Sequence, residues 1–249
     1  KVATTYSSTQ SVCGFAAWSP GLTDAEAHEL DVFFRCANAA LYRPVWQPLL
    51  TACGDSNTVG SGSGVTSSNR FSKLLSTSLG LTEDNQGGNG TTMGANDTLG
   101  TSSGRWVSIY KLNRSYFRAG ALYTVMLGTN DAQCGVSAAD FATDYETWLN
   151  YQFSAGIDPS QFLLLTPPAA TNVLTDQAVL TANVATVKRL AAKYGCGIVD
   201  VYATTLGQSS YFQTDSLHLN VAGHAAVHAA IMAYIAASTS QTTLRRMGG

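Results

Sequence analysis

Charged side chains are scarce in this sequence of 249 residues. Only 12% are Asp, Glu, Lys or Arg, and 14 basic residues nearly balance 16 acidic ones, which gives a net charge of −2. A nucleic-acid-binding domain would show a basic patch or stripe, so the composition argues against that class. Disorder is also excluded, because 45% of the residues are hydrophobic and no run of like charges occurs. Polarity comes instead from 24 Ser and 28 Thr, a composition that favours an exported protein.

The sequence also lacks closely spaced cysteine pairs of the CxxC type and long apolar runs. No CxxC pair occurs, which excludes a zinc ribbon or a thioredoxin-like motif. No 18 consecutive residues are all apolar, so we predict no membrane span. The odd number of cysteines leaves at least one free thiol and is compatible with one or two disulfides. The five are Cys13, Cys36, Cys53, Cys134 and Cys196.

The first 44 residues differ in pattern from the rest. Residues 14–30 predict a strand, a turn and a short helix, with Thr23 as N-cap and Glu26 as its capping-box partner. This stretch resembles the tail of laminin-G-like lectin domains, which implies the remnant of a preceding lectin-like domain. The alternative is a helical lead-in that packs on the main domain. We therefore predict a lead-in over 1–44, one domain over 45–240 and a flexible tail over 241–249.

From residue 45 onwards, apolar runs alternate with amphipathic segments. Such alternation indicates an α/β fold, with a mostly parallel sheet covered by helices on both faces. In these sheets ligands bind at the carboxyl ends of the strands. Residues 84–104, rich in Gly, Asn and Thr, predict a loop. We predict strands over 45–53, 121–128, 162–166 and 198–202, and helices over 69–79, 137–155, 176–194 and 221–237.

Polar residues follow several of these strands. Ser56 lies at a strand-to-turn junction, where a serine is well placed as a nucleophile, although Gly-Asp-Ser-Asn is also ordinary turn chemistry. Asn130 follows a buried strand, where its amide could donate to an oxyanion or simply cap a turn. Asp215 precedes His218 by three residues, a spacing that lets the carboxylate orient the imidazole. Histidine is the usual general base for a serine nucleophile.

Taken in order, four motifs resemble those of the SGNH/GDSL hydrolase family, and the resemblance covers about residues 47–238. The resemblance implies a flavodoxin-like, three-layer α/β/α sandwich and no metal or organic cofactor. The motifs are Gly54-Asp55-Ser56-Asn57-Thr58, Asn85-x-Gly87-x-x-Gly90-x-Thr92, Gly128-Thr129-Asn130-Asp131 and Asp215-x-x-His218.

The same resemblance implies a role for each site residue. Ser56 would be the nucleophile, His218 the general base and then acid, and Asp215 the carboxylate that orients His218. The oxyanion hole would combine the backbone N–H groups of Ser56 and Gly90 with the side-chain amide of Asn130. His224 and His228 lie four residues apart on the last predicted helix, but no carboxylate or cysteine completes a metal site there.

The substrate class is less constrained than the chemistry. Loops 57–68 and 84–104 are small and polar, and no long apolar lid is present, which favours a short acyl group on a polar scaffold. We therefore expect a serine esterase that removes O-acetyl groups from a carbohydrate. We expect the protein to be extracellular or secreted, a class that includes virion-associated proteins, and to form part of a larger polypeptide or particle. The alternatives are a short-chain or aryl esterase or lysophospholipase, and a glycan-binding module with a vestigial site. Four aromatic residues could form a sugar platform or simply pack: Trp106, Tyr110, Tyr116 and Tyr211.

Overall fold

The structure, a computed structural model, describes residues 49–94 and 122–247. All of them belong to one compact unit, Gln47–Gly249. The predicted lead-in, with its Thr23 N-cap, lies outside the described residues. So do Trp106, Tyr110 and Tyr116 of the proposed sugar platform.

Within the described residues, five parallel strands form one sheet in the order β2-β1-β3-β4-β5. The central strands are almost continuously apolar and buried, as expected where helices cover both faces of a parallel sheet. This order is that of flavodoxin-like folds, in which the chain reverses direction across the sheet between β1 and β3. The strands are β1 (Leu49–Gly54), β2 (Thr82–Gly87), β3 (Leu122–Met126), β4 (Phe162–Leu165) and β5 (Gly197–Val199).

Helices cover the sheet on both sides, which confirms the predicted three-layer sandwich. Alternate residues of a strand point to opposite faces, so Leu164 joins one apolar core while Leu163 and Leu165 join the other. The first core is filled by α4 and α5, and the second by α2 and α7. The helices are α1 (Ser56–Val59), α2 (Phe71–Leu79), α3 (Thr129–Gln133), α4 (Ala138–Ser154), α5 (Gln177–Tyr194), α6 (Val201–Thr205) and α7 (Val221–Met247).

The ends of the long helices follow the capping residues in the sequence. Ser137 caps α4 by accepting a hydrogen bond from the backbone N–H of Asp140 at 3.1 Å. Asp176 caps α5 in the same way through Ala178, and α5 ends at Gly195, whose φ is +72°. These contacts satisfy backbone groups that a helix end leaves without partners.

Two strand predictions are wrong. Residues 84–104 were expected to form a loop, but Thr82–Gly87 is an edge strand that pairs with β1 along its whole length. The sequence does not reveal this strand, because all its side chains are polar and show no alternation of apolar residues. As an edge strand it pairs with β1 alone. The strand expected over 198–202 ends at Val199, since the Asp200 side chain accepts the N–H of Ala203 and starts α6.

The last helix is longer than predicted. We expected its end at Ala237 and a tail from 241, whereas α7 continues to Met247 because no Gly or Pro interrupts the chain before Gly248. Its segment Val221–Ser238 has the length and hydropathy, 1.4 on average over 18 residues, of a helix that could cross a membrane. Val227 and Ile231 of this segment are fully buried in the second core, and 22% of the segment is buried in all.

Two of the cysteines carry buried free thiols, Cys53 in β1 and Cys196 before β5. Burial raises the pKa of Cys53 well above its ordinary value and that of Cys196 to about 11. Both thiols therefore stay protonated at neutral pH and pack as small apolar side chains.

Candidate active site

Ser56 lies in a tight turn at the carboxyl end of β1. The side chain of Asp55 caps α1 by accepting the N–H of Asn57 at 2.9 Å, which makes Ser56 the first helical residue. Gly54 has to be a glycine, because a Cβ atom there would stand 2.1 Å from Oγ1 of Thr58 and 2.6 Å from the carbonyl oxygen of Met126. The Ser56 side chain is thereby held at the edge of the sheet where ligands bind in this class of fold.

His218 connects Ser56 to Asp215 through both ring nitrogens. Nε2 of His218 lies 3.0 Å from Oγ of Ser56, and Nδ1 lies 2.6 Å from Oδ2 of Asp215. The other carboxylate oxygen, Oδ1, accepts the backbone N–H groups of Leu217 and His218 at 2.9 and 3.0 Å. The structure therefore brings the three predicted catalytic side chains into one hydrogen-bonded line.

The carboxylate of Asp215 is kept ionised by its neighbours. Burial acts to raise its pKa, but hydrogen bonds from the His218 side chain and from two backbone N–H groups outweigh burial and lower the pKa below its ordinary value. A charged carboxylate at Nδ1 fixes the imidazole tautomer that leaves Nε2 free to take a proton.

The second half of the site consists of Asn130 and the turn at Gly90. Asn130, in α3 directly after β3, donates one N–H of its amide to the carbonyl oxygen of Thr91 at 3.0 Å. Gly90 has φ +68°, which favours glycine, and the N–H of Gly88 bonds to the carbonyl oxygen of Gly54 at 2.9 Å. These contacts hold the Gly90 turn against Asn130 on one side and against the nucleophile turn on the other. An amide has two N–H groups, so the second one of Asn130 can serve a ligand.

Residues 52–226 match the model of the GDSL-like lipase/acylhydrolase family. The chain belongs to this family. Members are ester hydrolases, and this chain is accordingly a GDSL-family esterase.

Solved structures share the fold of this GDSL hydrolase at low sequence identity. A lipase/acylhydrolase from Enterococcus faecalis is 21% identical with a TM-score of 0.61, over 76% of this chain and 95% of that one. A protein assigned as an arylesterase from Agrobacterium tumefaciens str. C58 is 21% identical with a TM-score of 0.62, over 76% and 98%. A carbohydrate acetylesterase family member from Sinorhizobium meliloti is 19% identical with a TM-score of 0.58, over 76% and 97%. No curated protein matches the chain in sequence.

Two buried acids, Asp131 and Asp55, accept backbone N–H groups next to the site of this GDSL hydrolase. Asp131 accepts the backbone N–H groups of Met93 and Gly94 at 3.2 and 2.8 Å, which fixes the chain just after the Gly90 turn. Burial raises the pKa of Asp131 to about 7 and that of Asp55 to about 6, against opposing backbone hydrogen bonds. Both acids hold backbone, and neither belongs to the hydrogen-bonded line of Ser56.

The remaining candidates from the sequence do not belong to the hydrogen-bonded line from Asp215 through His218 to Ser56. His224 is fully buried, accepts the N–H of Phe71 at Nδ1, and has its pKa lowered by burial to about 4. His228 bonds to Ser78 through Nε2. Tyr211 packs against the second core. Within residues 49–94 and 122–247, no three His, Cys, Asp or Glu side chains cluster as metal ligands would.

Two asparagines contact the loop that carries Asp215 and His218, and neither has a role predicted from the sequence. Oδ1 of Asn57 accepts the N–H of Leu219 at 2.8 Å, and Nδ2 of Asn172 donates to the carbonyl oxygen of Asp215 at 2.8 Å. For Asn57, which is buried, the only signal is that a buried amide needs hydrogen-bond partners. Those partners are distant in the chain, so spacing could not identify them.

Proposed function

We propose that this GDSL hydrolase is a serine esterase that works through an acyl-enzyme. The observation that carries the proposal is the line from Asp215 through His218 to Ser56, with contacts of 2.6 and 3.0 Å. Oγ of Ser56 attacks the ester carbonyl carbon while its proton passes to Nε2 of His218. The carboxylate of Asp215 stabilises the imidazolium that forms.

The tetrahedral intermediate then collapses to the acyl-enzyme. The bond from carbon to the leaving oxygen breaks, and Nε2 returns its proton to that oxygen, which departs as an alcohol. Water, losing a proton to His218, attacks the acyl carbonyl, and the carboxylic acid leaves as Ser56 regains its proton. No metal or organic cofactor is needed for these steps.

An oxyanion hole would stabilise both tetrahedral intermediates. We assign it to the backbone N–H groups of Ser56 and Gly90 and to the amide N–H of Asn130 that does not bond to Thr91. Such preorganised donors lower the barrier because they meet charge that develops only in the transition state.

We propose an O-acetylated carbohydrate as the substrate. Small polar groups border the nucleophile turn: Ser61 donates to Asn89 at 2.7 Å, and the N–H of Ser63 bonds to Gln213 at 2.9 Å. Such groups suit the hydroxyls of a sugar, and one solved structure with the same fold is a carbohydrate acetylesterase family member. Export of the enzyme stays a prediction from the composition.

The test is the release of acetate from an acetylated polysaccharide such as acetylated xylan, compared with hydrolysis of 4-nitrophenyl octanoate. A higher kcat/KM on the polysaccharide acetyl groups supports carbohydrate de-O-acetylation. A preference for octanoate would refute that substrate while leaving the esterase chemistry in place. Binding of the glycan without turnover would point to a vestigial site.

One feature favours the alternative of a short-chain or aryl esterase. Val173 and Leu174 are 93% and 71% exposed, and they follow Asn172, which bonds to the backbone of Asp215. Exposed apolar side chains beside a catalytic loop suit an apolar acyl or aryl group. If this function holds, Val173→Ser combined with Leu174→Ser raises KM for phenyl acetate and leaves the release of acetate from xylan unchanged. An unaltered KM for phenyl acetate removes the support for it.

A further inference from the structure

We propose that Asn57 is a positioning residue that holds His218 at proton-transfer distance from Ser56. The inference rests on the proposed function, since it concerns the same nucleophile and base. Asn57 is the residue after the nucleophile in α1, and its side chain reaches the loop that carries His218.

The contacts of Asn57 bracket His218. Oδ1 accepts the N–H of Leu219 at 2.8 Å, and Nδ2 donates to the carbonyl oxygen of Leu217 at 3.5 Å. One amide thus spans the backbone on both sides of the catalytic histidine. The Asn57 side chain is almost fully buried, with 1% exposed, so water does not compete for these bonds.

Among the described residues, the loop has one other hydrogen bond to the chain near α1, from the N–H of Ser63 to the side chain of Gln213 at 2.9 Å, and that bond does not touch the residues that flank His218. Hydrogen bonds within the loop fix its shape. The N–H of Gln213 bonds to the carbonyl oxygen of His218 at 2.8 Å, and the N–H of Ser216 bonds back to Gln213 at 2.9 Å. Ser216 has φ +56°, an unfavourable conformation for a residue with a Cβ atom. A loop under this constraint keeps its shape only when its surroundings hold it.

A second set of bonds ties the loop to the connection between β4 and α5. Asn172 holds the carbonyl oxygen of Asp215, and the N–H of Thr171 holds that of Ser216 at 3.0 Å. Within the described part of the chain, α1 is hydrogen-bonded to the loop through Ser56 and Asn57 alone. Apart from Ser56 itself, Asn57 is therefore the residue of α1 that sets the position of the backbone on both sides of His218.

Loss of the Asn57 amide should slow the chemical step. In Asn57→Leu, the leucine side chain is similar in size to asparagine but leaves the buried N–H of Leu219 without a partner. The loop can then shift, and a displacement of about 1 Å at a catalytic group can cost roughly 100-fold in rate. We expect kcat on 4-nitrophenyl acetate to fall roughly 10- to 100-fold, with KM changed less than about threefold. Asn57→Asp keeps the 2.8 Å acceptor contact and loses the donor, so its kcat should lie between those of Asn57→Leu and the wild type.

Asn220→Leu is the matched control. The Asn220 amide also bonds to backbone of this region: Nδ2 donates to Ser210 and Phe212 at 2.8 and 2.9 Å, and Oδ1 accepts the N–H of Gly223 at 3.0 Å. None of these bonds reaches the residues that flank His218. We expect this variant to lower thermal stability while reducing kcat less than Asn57→Leu does. A loss of kcat equal to that of Asn57→Leu would mean general loosening of the loop and would overturn the proposal.

The experiment measures kcat, KM and thermal unfolding for the wild type, the three variants and Ser56→Ala. A folded Asn57→Leu enzyme with kcat within about threefold of the wild type, or with a loss confined to KM, overturns the role of Asn57. If Asn57→Leu does not fold, the deciding variant is Asn57→Asp, and a kcat equal to that of the wild type overturns the role of Asn57. Full activity in Ser56→Ala would show that the proposed function itself has failed, which separates the two outcomes.

Discussion

Nε2 of His218 lies 3.0 Å from Oγ of Ser56, although 162 residues separate them in the chain. Ser56 follows β1, and His218 lies in the loop before α7. In the sheet order β2-β1-β3-β4-β5, the chain leaves β1 towards one edge of the sheet and leaves β3 towards the other. The loops that follow these two neighbouring strands therefore diverge, and a crevice lies between them. Ser56 and Asn130 follow these two strands, and the His218 loop meets them there.

Asp215→Asn should lower kcat roughly 10²- to 10⁴-fold with little effect on KM. The asparagine amide can present an N–H to Nδ1 and so stabilise the tautomer whose Nε2 carries a proton and cannot act as the base. Steady-state kinetics on 4-nitrophenyl acetate measure the effect. A loss below tenfold would mean that Asp215 does not orient His218.

Asn130→Ala should lower kcat roughly 10²- to 10³-fold by removing one oxyanion donor. It also removes the contact with Thr91 at 3.0 Å that holds the Gly90 turn. Asn69→Ala is the matched control, since among the described residues that amide bonds to loop backbone at Gly64 and Thr66 and not to the active site. Equal rates for the two variants would contradict the assignment of Asn130.

Gly54→Ala should be far more harmful than Gly80→Ala. A Cβ at Gly54 would overlap Thr58 and the carbonyl oxygen of Met126, whereas nothing lies within 4 Å of one at Gly80, where only the φ of +66° opposes it. We expect Gly80→Ala to cost about 1 kcal/mol of unfolding free energy, and Gly54→Ala to cost more and to abolish activity. Chemical denaturation and kinetics of both variants test this, and normal activity in Gly54→Ala would contradict the described nucleophile turn.

His224→Asn should make the protein less sensitive to acid. Burial lowers the pKa of His224 in the folded state from 6.5 to about 4, so the folded state binds fewer protons than the unfolded state between these values. The resulting stability is present above pH 6.5 and is lost as pH falls towards about 4, up to about 3 kcal/mol. The asparagine oxygen can still accept the N–H of Phe71.

The measurement is the unfolding free energy of both proteins from pH 8 to pH 4. The raised pKa values of Asp55 and Asp131 act in the opposite direction, with stability lost as pH rises, but they are common to both proteins and cancel in the difference. The wild type should lose stability relative to the variant as pH falls below 6.5. Parallel curves would mean that His224 titrates alike in the folded and unfolded states.

The sequence predicts those features that depend on local chemistry. The helices predicted over 137–155 and 176–194 form at Ala138–Ser154 and Gln177–Tyr194, because the caps at their ends act on backbone within a few residues of themselves. The strand Thr82–Gly87 escapes prediction because its pairing with β1 is a backbone interaction that its polar side chains do not reveal. Motif order predicted that Ser56, Asp215 and His218 would meet, but the contact of Asn57 with Leu219 depends on tertiary folding and has no counterpart in spacing.

The most direct test of the account is hydrolysis of 4-nitrophenyl acetate by the wild type and by Ser56→Ala, measured in parallel with thermal unfolding of both. The account predicts turnover by the wild type and a rate at background level in a folded Ser56→Ala protein, because no other group forms the acyl-enzyme. Turnover that persists in the variant at the wild-type rate would contradict Ser56 as the nucleophile.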